Sequence, residues 1–141
     1  MSWQLYEIDQ RAQALVLKFR DTDALGESHK MRMTTAYGLE RFWGEHLRLM
    51  RDSKTKDKAN FWKDTWKELC KIMQEAGIKV PNDSVNVDKT AEVQAMAAKL
   101  WDETQFPIEQ RKVALAVLTQ LCDSLVWWTQ RYKKPGNGAK N

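Results

Sequence analysis

Four side chains of this chain have the chemistry of nucleophiles, proton carriers or metal ligands near neutral pH: His29, His46, Cys70 and Cys122. Their spacing argues against each of those roles. The cysteines lie far apart, in no CxxC and no Cys/His cluster, so neither a zinc site nor a disulfide framework is expected. Both read as reduced, small core residues. His29 falls in a polar stretch. His46 sits at the edge of an apolar helix face, where a lone imidazole is a packing group more often than a ligand. No Glu-x-x-His pair, His-Glu-x-x-His motif, glycine-rich phosphate loop, Gly-x-Ser-x-Gly elbow or adjacent His-Asp pair occurs. Asp64/Glu68 and Glu40/Glu45 stand among lysines and arginines, so surface pairing explains them better than a shared acid–base site. The expectation is a protein that binds rather than catalyses, with no metal, cofactor or small-molecule substrate.

The cations are distributed more informatively. The chain has 23 Lys+Arg against 19 Asp+Glu, a net charge of only +4. Between Ser28 and Lys71, however, eleven cations face six carboxylates. At 100° per residue, Lys63, Lys67 and Lys71 line up on one side of an expected helix, away from Trp62, Trp66, Leu69 and Met73. Arg41 and Arg48 stand opposite Leu39, Trp43 and Met50 on the preceding helix. Arg51, Lys54, Lys56 and Lys58 fill the connection between the two. Such a hairpin presents seven or eight cations along one edge, suited to a phosphate backbone with counterion release supplying affinity. The alternative is a plain solvated face laced with i,i+4 pairs. With no zinc finger, helix-turn-helix or RNA-recognition signature, a bound strand would be read through its backbone, not its bases.

Helical periodicity supplies the elements that position these residues. Leu5, Ile8, Ala12, Leu15 and Phe19 make one amphipathic stripe. Asp21 to His29 reads as a polar connection. A second helix starts near Lys30 to Thr35 and reaches Asp52, with Phe42 and His46 at the margin of its face. The third runs from about Asp57 to Ala76, with Gly77 placed as a C-terminal cap. Ile78 to Asp88 is a loop whose apolar residues can dock on the bundle. Asp88 or Thr90 caps a fourth helix bearing Val93, Met96, Ala97, Leu100 and Trp101. Pro107 suits the first turn of the last, which carries Val113, Val117, Leu121, Leu125 and Trp128 to about Lys133. The expected fold is all-α, a compact bundle of about five helices over residues 1–133, followed by a frayed tail at 134–141. No signal peptide or apolar membrane span is present in the sequence, so a soluble cytoplasmic protein is expected. Trp43, Trp62, Trp66, Trp101 and Trp128 fall in apolar stripes. Trp3 and Trp127 lie off them, and either stack on a base or, more often for such residues, meet another protein.

The run Val113-Ala-Leu-Ala-Val-Leu-Thr-Gln-Leu-Cys-Asp-Ser-Leu-Val-Trp-Trp-Thr-Gln-Arg-Tyr-Lys133 resembles the C-terminal end of the large subunit of type I-D CRISPR effector complexes. That region is similar to the small-subunit family and can be made separately from an internal start, an origin that a chain opening at Met1 and entering a helix at once would suit. The resemblance implies a helical small subunit without the upstream His-Asp nuclease motif. It would stack along the guide-RNA filament beside backbone and large subunits and copies of itself, and would help hold target or displaced DNA. Base pairing then supplies specificity, and protein contacts to phosphates tip the strand exchange. On this reading Arg41, Arg48, Arg51, Lys54, Lys56, Lys63, Lys67 and Lys71 meet nucleic acid, and Trp3 and Trp127 meet protein.

Overall fold

The computed structural model describes residues 5–135; Trp3, the side chain of Leu5 and the tail from Gly136 lie outside the described residues. Six α-helices follow one another: α1 (Leu5–Phe19), α2 (Ser28–Thr34), α3 (Leu39–Met50), α4 (Lys56–Glu75), α5 (Thr90–Leu100) and α6 (Ile108–Tyr132). Short 3-10 turns at Ala24–Glu27, Thr35–Tyr37 and Ser53–Thr55 link the first four, and no strand occurs among the described residues. α1 and α6 run side by side in the same direction, Asp9 accepting from Trp128 Nε1 at 2.9 Å and Tyr132 Oη from Gln13 at 2.8 Å. α3 and α4 pair as a hairpin, and α4 also touches α1, α6 and the first 3-10 turn.

The all-α bundle expected from periodicity is present, with six helices in place of about five. Gly38 makes the difference. Its φ of 102° and ψ of 170° belong to a region that only glycine occupies without strain, and it divides the expected second helix into α2 and α3. Periodicity ran through the break because apolar residues continue at helical spacing on both sides. Gly77 behaves as its position predicts. At φ 76° it ends α4 with two reversed bonds, Ile78 N–H to the Met73 carbonyl at 3.0 Å and Gly77 N–H to the Gln74 carbonyl at 2.9 Å. Cap residues fare less well: Lys89 is the N-cap of α5, with no side-chain bond, and Pro107 immediately precedes α6.

The expected polar connection at Asp21–His29 is partly interior. Ala24, Leu25, Glu27 and Ser28 are buried, and the buried carboxylate of Glu27 accepts from Trp62 Nε1 at 3.0 Å with Lys30 Nζ at 3.3 Å. A carboxylate enters an interior when donors replace its water, and the indole on α4 is such a donor. Phe42 is likewise core rather than margin, its ring 4.8 Å from Trp62 and 6.3 Å from Trp66. Two residues placed in apolar faces stand outside. Trp101, the C-cap of α5, is 61% exposed, because the helix ends before its ring can turn inward. Val113 is 38% exposed, while Val117, Leu121 and Leu125 of the expected face are buried together with Ala114, Leu118 and Cys122.

The loop after Gly77 does dock. Val80 is buried, Ile78 and Val85 pack on the core, and Trp66 Nε1 donates to the Pro81 carbonyl at 3.0 Å. No described helix is long and apolar enough to cross a membrane.

A glycine at a helix break and a glycine inside a helix predict opposite outcomes. Gly38→Ala should destabilise the fold by more than about 1 kcal/mol, since alanine must take φ 102° and crowd the Glu40 carboxylate. Gly44→Ala, inside α3 with open space at its Cβ position, should stabilise by about 0.4–1 kcal/mol. Urea unfolding of both variants checks the pair.

Candidate nucleic-acid interface

α4 must bury Phe61, Trp62, Thr65, Trp66, Leu69, Ile72 and Met73 against its neighbours, which leaves one stripe of the helix for water. Lys56, Lys63, Lys67 and Lys71 occupy that stripe, all exposed. By helical geometry they fall within about 80° of one another and extend over about 22 Å of axis. Among the described residues, Lys56, Lys63 and Lys67 have no carboxylate within 4.0 Å; Lys71 has Glu68 at 3.5 Å. Arg51 and Lys54 are exposed in the turn that precedes α4, where the Lys54 N–H donates to Asp52 Oδ1 at 2.9 Å.

Arg41 and Arg48 are not part of this row. Both lie about 150° around α3 from His46, and His46 is the residue that neighbours Lys63 of α4. Arg41 rests over the Tyr37 ring, 5.4 Å from its centre, and Arg48 is tied to Glu45. The eight cations expected on a single edge are therefore not all together: the lysine row runs along α4, and Arg41 and Arg48 lie on another side of α3.

The cations missing from the row are held elsewhere. Arg11 bridges Glu68 at 2.9 Å and Glu75 at 2.7 Å, and Lys18 meets Asp64 at 2.5 Å, so the groove between α1 and α4 is an interlocked ion-pair lattice. Lys18 and Arg11 carry no mark in the sequence that announces this pairing across the bundle. Lys79 was also overlooked. It sits in the loop after Gly77, in a cleft it shares with Lys67 and Lys71.

Three of the four side chains with reactive chemistry are wholly or partly buried. Burial pushes the Cys70 thiol up to about 12 and raises that of Cys122 as well. His46 Nδ1 lies 2.6 Å from the Trp43 carbonyl, and burial, helped by Lys63, holds its pKa below the ordinary value near 6.5. His29 is exposed, 3.0 Å from the Gln130 amide. Among the described residues no three His, Cys, Asp or Glu side chains form a group able to hold a metal ion.

Trp127 is 48% exposed on α6, with the Arg131 guanidinium 3.8 Å above its ring and Trp128 packed edge-on beneath. Trp128 in turn stacks on Tyr132. The geometry thus defines a helical bundle with a cationic ridge on one side and an aromatic ledge on another. No protein-family model, curated protein or solved structure matches the chain.

His46 sets a pH dependence with a definite sign. The unfolded chain takes up a proton near pH 6.5 while the folded imidazole stays neutral, so its share of stability is full above that value and is lost as pH falls towards the lower folded pKa. A His46→Gln variant should flatten the change in thermal midpoint between pH 7.5 and 5.5 relative to wild type. An equal slope in both proteins would show that His46 does not control it.

Proposed function

We propose that this chain is a non-catalytic small subunit of a CRISPR RNA-guided interference complex, gripping nucleic-acid backbone without reading sequence. The observation that carries the reading is the row Lys56–Lys63–Lys67 on α4, exposed and with no ion-pair partner among the described residues. Each of the three lysine ammonium groups is exposed, placed to trade counterions for phosphates. Paired cations such as Arg11 and Lys18 cannot do so without breaking bonds that hold α1 to α4.

The resemblance of residues 113–133 to the type I-D large-subunit end supports the same reading and names the partners: backbone and large subunits, neighbouring copies, guide RNA and target DNA. The ridge offers charge at intervals, which suits a surface that steadies a strand whose sequence is read by base pairing. A cytoplasmic location follows from the same proposal.

A second reading has its own observation. Trp127 with Arg131 above it is an exposed aromatic–guanidinium pair, the composition of a protein-contact anchor. On that reading the chain bridges protein partners without touching nucleic acid.

The test uses the full chain, tagged and recovered with its assembled partners. Lys63/Lys67/Lys71→Glu should leave far-ultraviolet circular dichroism unchanged and weaken target-DNA binding by the complex at least tenfold at physiological salt. The slope of log affinity against log salt should fall by about 2, as three single-strand phosphate contacts predict. Recovery without RNA, or equal affinity at every salt concentration, overturns the proposal. Trp127→Ala should loosen assembly while leaving helicity intact; if assembly survives Trp127→Ala but DNA binding fails with the lysine variant, the bridging reading falls.

A further inference from the structure

On the flank of the ridge, α4 and the chain returning from Gly77 enclose a cleft of about 570 Å³. Its cations are Lys67, Lys71 and Lys79, all exposed. Its single carboxylate, Asp83, is already neutralised by Lys99 at 2.6 Å. Glu68, the partner of Lys71, is also held by Arg11 at 2.9 Å, so Lys71 keeps charge to spare. The wall between the lysines is apolar, formed by Ile78 and the buried Val80, and the Asn82 amide stands at the rim.

Two features of this cleft oppose an anion or limit its kind. The C-terminus of α4 points a partial negative charge of roughly half a unit towards it. Three ammonium groups outweigh that, and the Met73 and Gln74 carbonyls are occupied by the reversed bonds from Ile78 and Gly77. The volume falls in the range of sites for drug-sized molecules. A bare phosphate leaves the apolar wall uncovered, whereas a phosphate ester with a flat, weakly polar group satisfies both halves.

We infer that this cleft binds one nucleotide, its phosphate on Lys67, Lys71 and Lys79 and its base against Ile78 and Val80 with the Asn82 amide at the base edge. The nucleotide is either free or one unit of a strand lying on the ridge; the strand-borne form rests on the function proposed above, because Lys67 and Lys71 belong to both surfaces. A base lodged there fixes the register of a strand that the ridge alone leaves free to slide.

The test is heteronuclear NMR on the full ¹⁵N-labelled chain, with adenosine 5′-monophosphate, inorganic phosphate and a ten-residue oligodeoxyadenylate as probes. Adenosine monophosphate should shift the amides of Gly77, Ile78, Lys79 and Asn82 saturably in the millimolar range, at least fivefold more tightly than phosphate. Lys79→Glu, on an exposed loop position, should weaken that binding at least fivefold while the remaining spectrum shows the fold intact. Oligomer shifts at the same amides, lost in Lys79→Glu, assign the strand-borne form; cleft shifts with the mononucleotide alone assign the free form. If the oligomer perturbs only the exposed face of α4 and the mononucleotide perturbs nothing, the cleft is refuted and the ridge stands. If the mononucleotide binds and the oligomer binds nowhere, the cleft stands and strand binding by the isolated chain is refuted. Phosphate binding as tightly as the mononucleotide refutes the role of the apolar wall.

Discussion

The hydrogen bond from Trp62 Nε1 to the buried carboxylate of Glu27 ties the first third of the chain to the centre of the bundle. Without it, Glu27 Oε1 would lose its donor inside the bundle and the carboxylate would keep only Lys30 at Oε2, which sets the cost of an unmade bond against the burial of Ala24 and Leu25. With it, the first 3-10 turn lies on α4, α2 is directed against α6, and Arg32 reaches Asp123 at 2.5 Å. The same tryptophan packs on Phe42, so one indole joins the turn before α2 to the hairpin of α3 and α4. α4 is thereby enclosed by α1, α3, α6 and the docked loop at once, and the lysine stripe, with Asp57, Gln74 and Glu75 near the helix ends, is what it leaves to solvent. The shape of the cationic ridge is a consequence of how completely the rest of α4 is covered.

Much of this was legible in the residues. The stripes of α1, α4 and α6, the Gly77 cap and the alignment of Lys63, Lys67 and Lys71 all follow from a period of 3.6, a local property. What was not legible depends on partners distant in sequence. Glu27 looks like a surface residue until Trp62 is brought to it, and Phe42 looks marginal until Trp62 and Trp66 flank it. Trp101 fits an apolar stripe by spacing, yet the stripe ends with the helix one residue earlier. Gly38 was the one local signal passed over: a glycine before Leu39 within a long helical pattern can be tolerated or can break it, and its conformation decides.

The charge layout divides along the same line. Spacing on a single helix predicts which cations share a side, so the α4 row could be read directly. It does not predict how two helices are rotated against each other, and that rotation sets Arg41 and Arg48 apart from the row. Nor does it reveal which cations are committed. Arg11 and Lys18 lie on α1, and their carboxylates lie on α4, a pairing that exists only once the bundle is assembled. Net charge alone, at +4, would have ranked all of these alike.

Commitment is what separates a binding surface from a structural one in this molecule. An exposed ion pair contributes little stability, of order 0–1 kcal/mol, but a lattice in which one guanidinium spans two carboxylates resists separation by a passing phosphate more than a lone pair does. The α1–α4 groove has cations and volume, yet Arg11 satisfies both Glu68 and Glu75 there, and Lys18 satisfies Asp64. On the other flank of the same helix, Lys67 and Lys79 have no such partner among the described residues, and the one acid present already has Lys99. Two grooves of similar size therefore border one row of lysines, one electrostatically closed and one open. The ion pairs of Arg11 and Lys18 offset the field on the α1 side of α4 more than on the side of the loop after Gly77, so on the function proposed above a strand would lean towards that loop, away from α1.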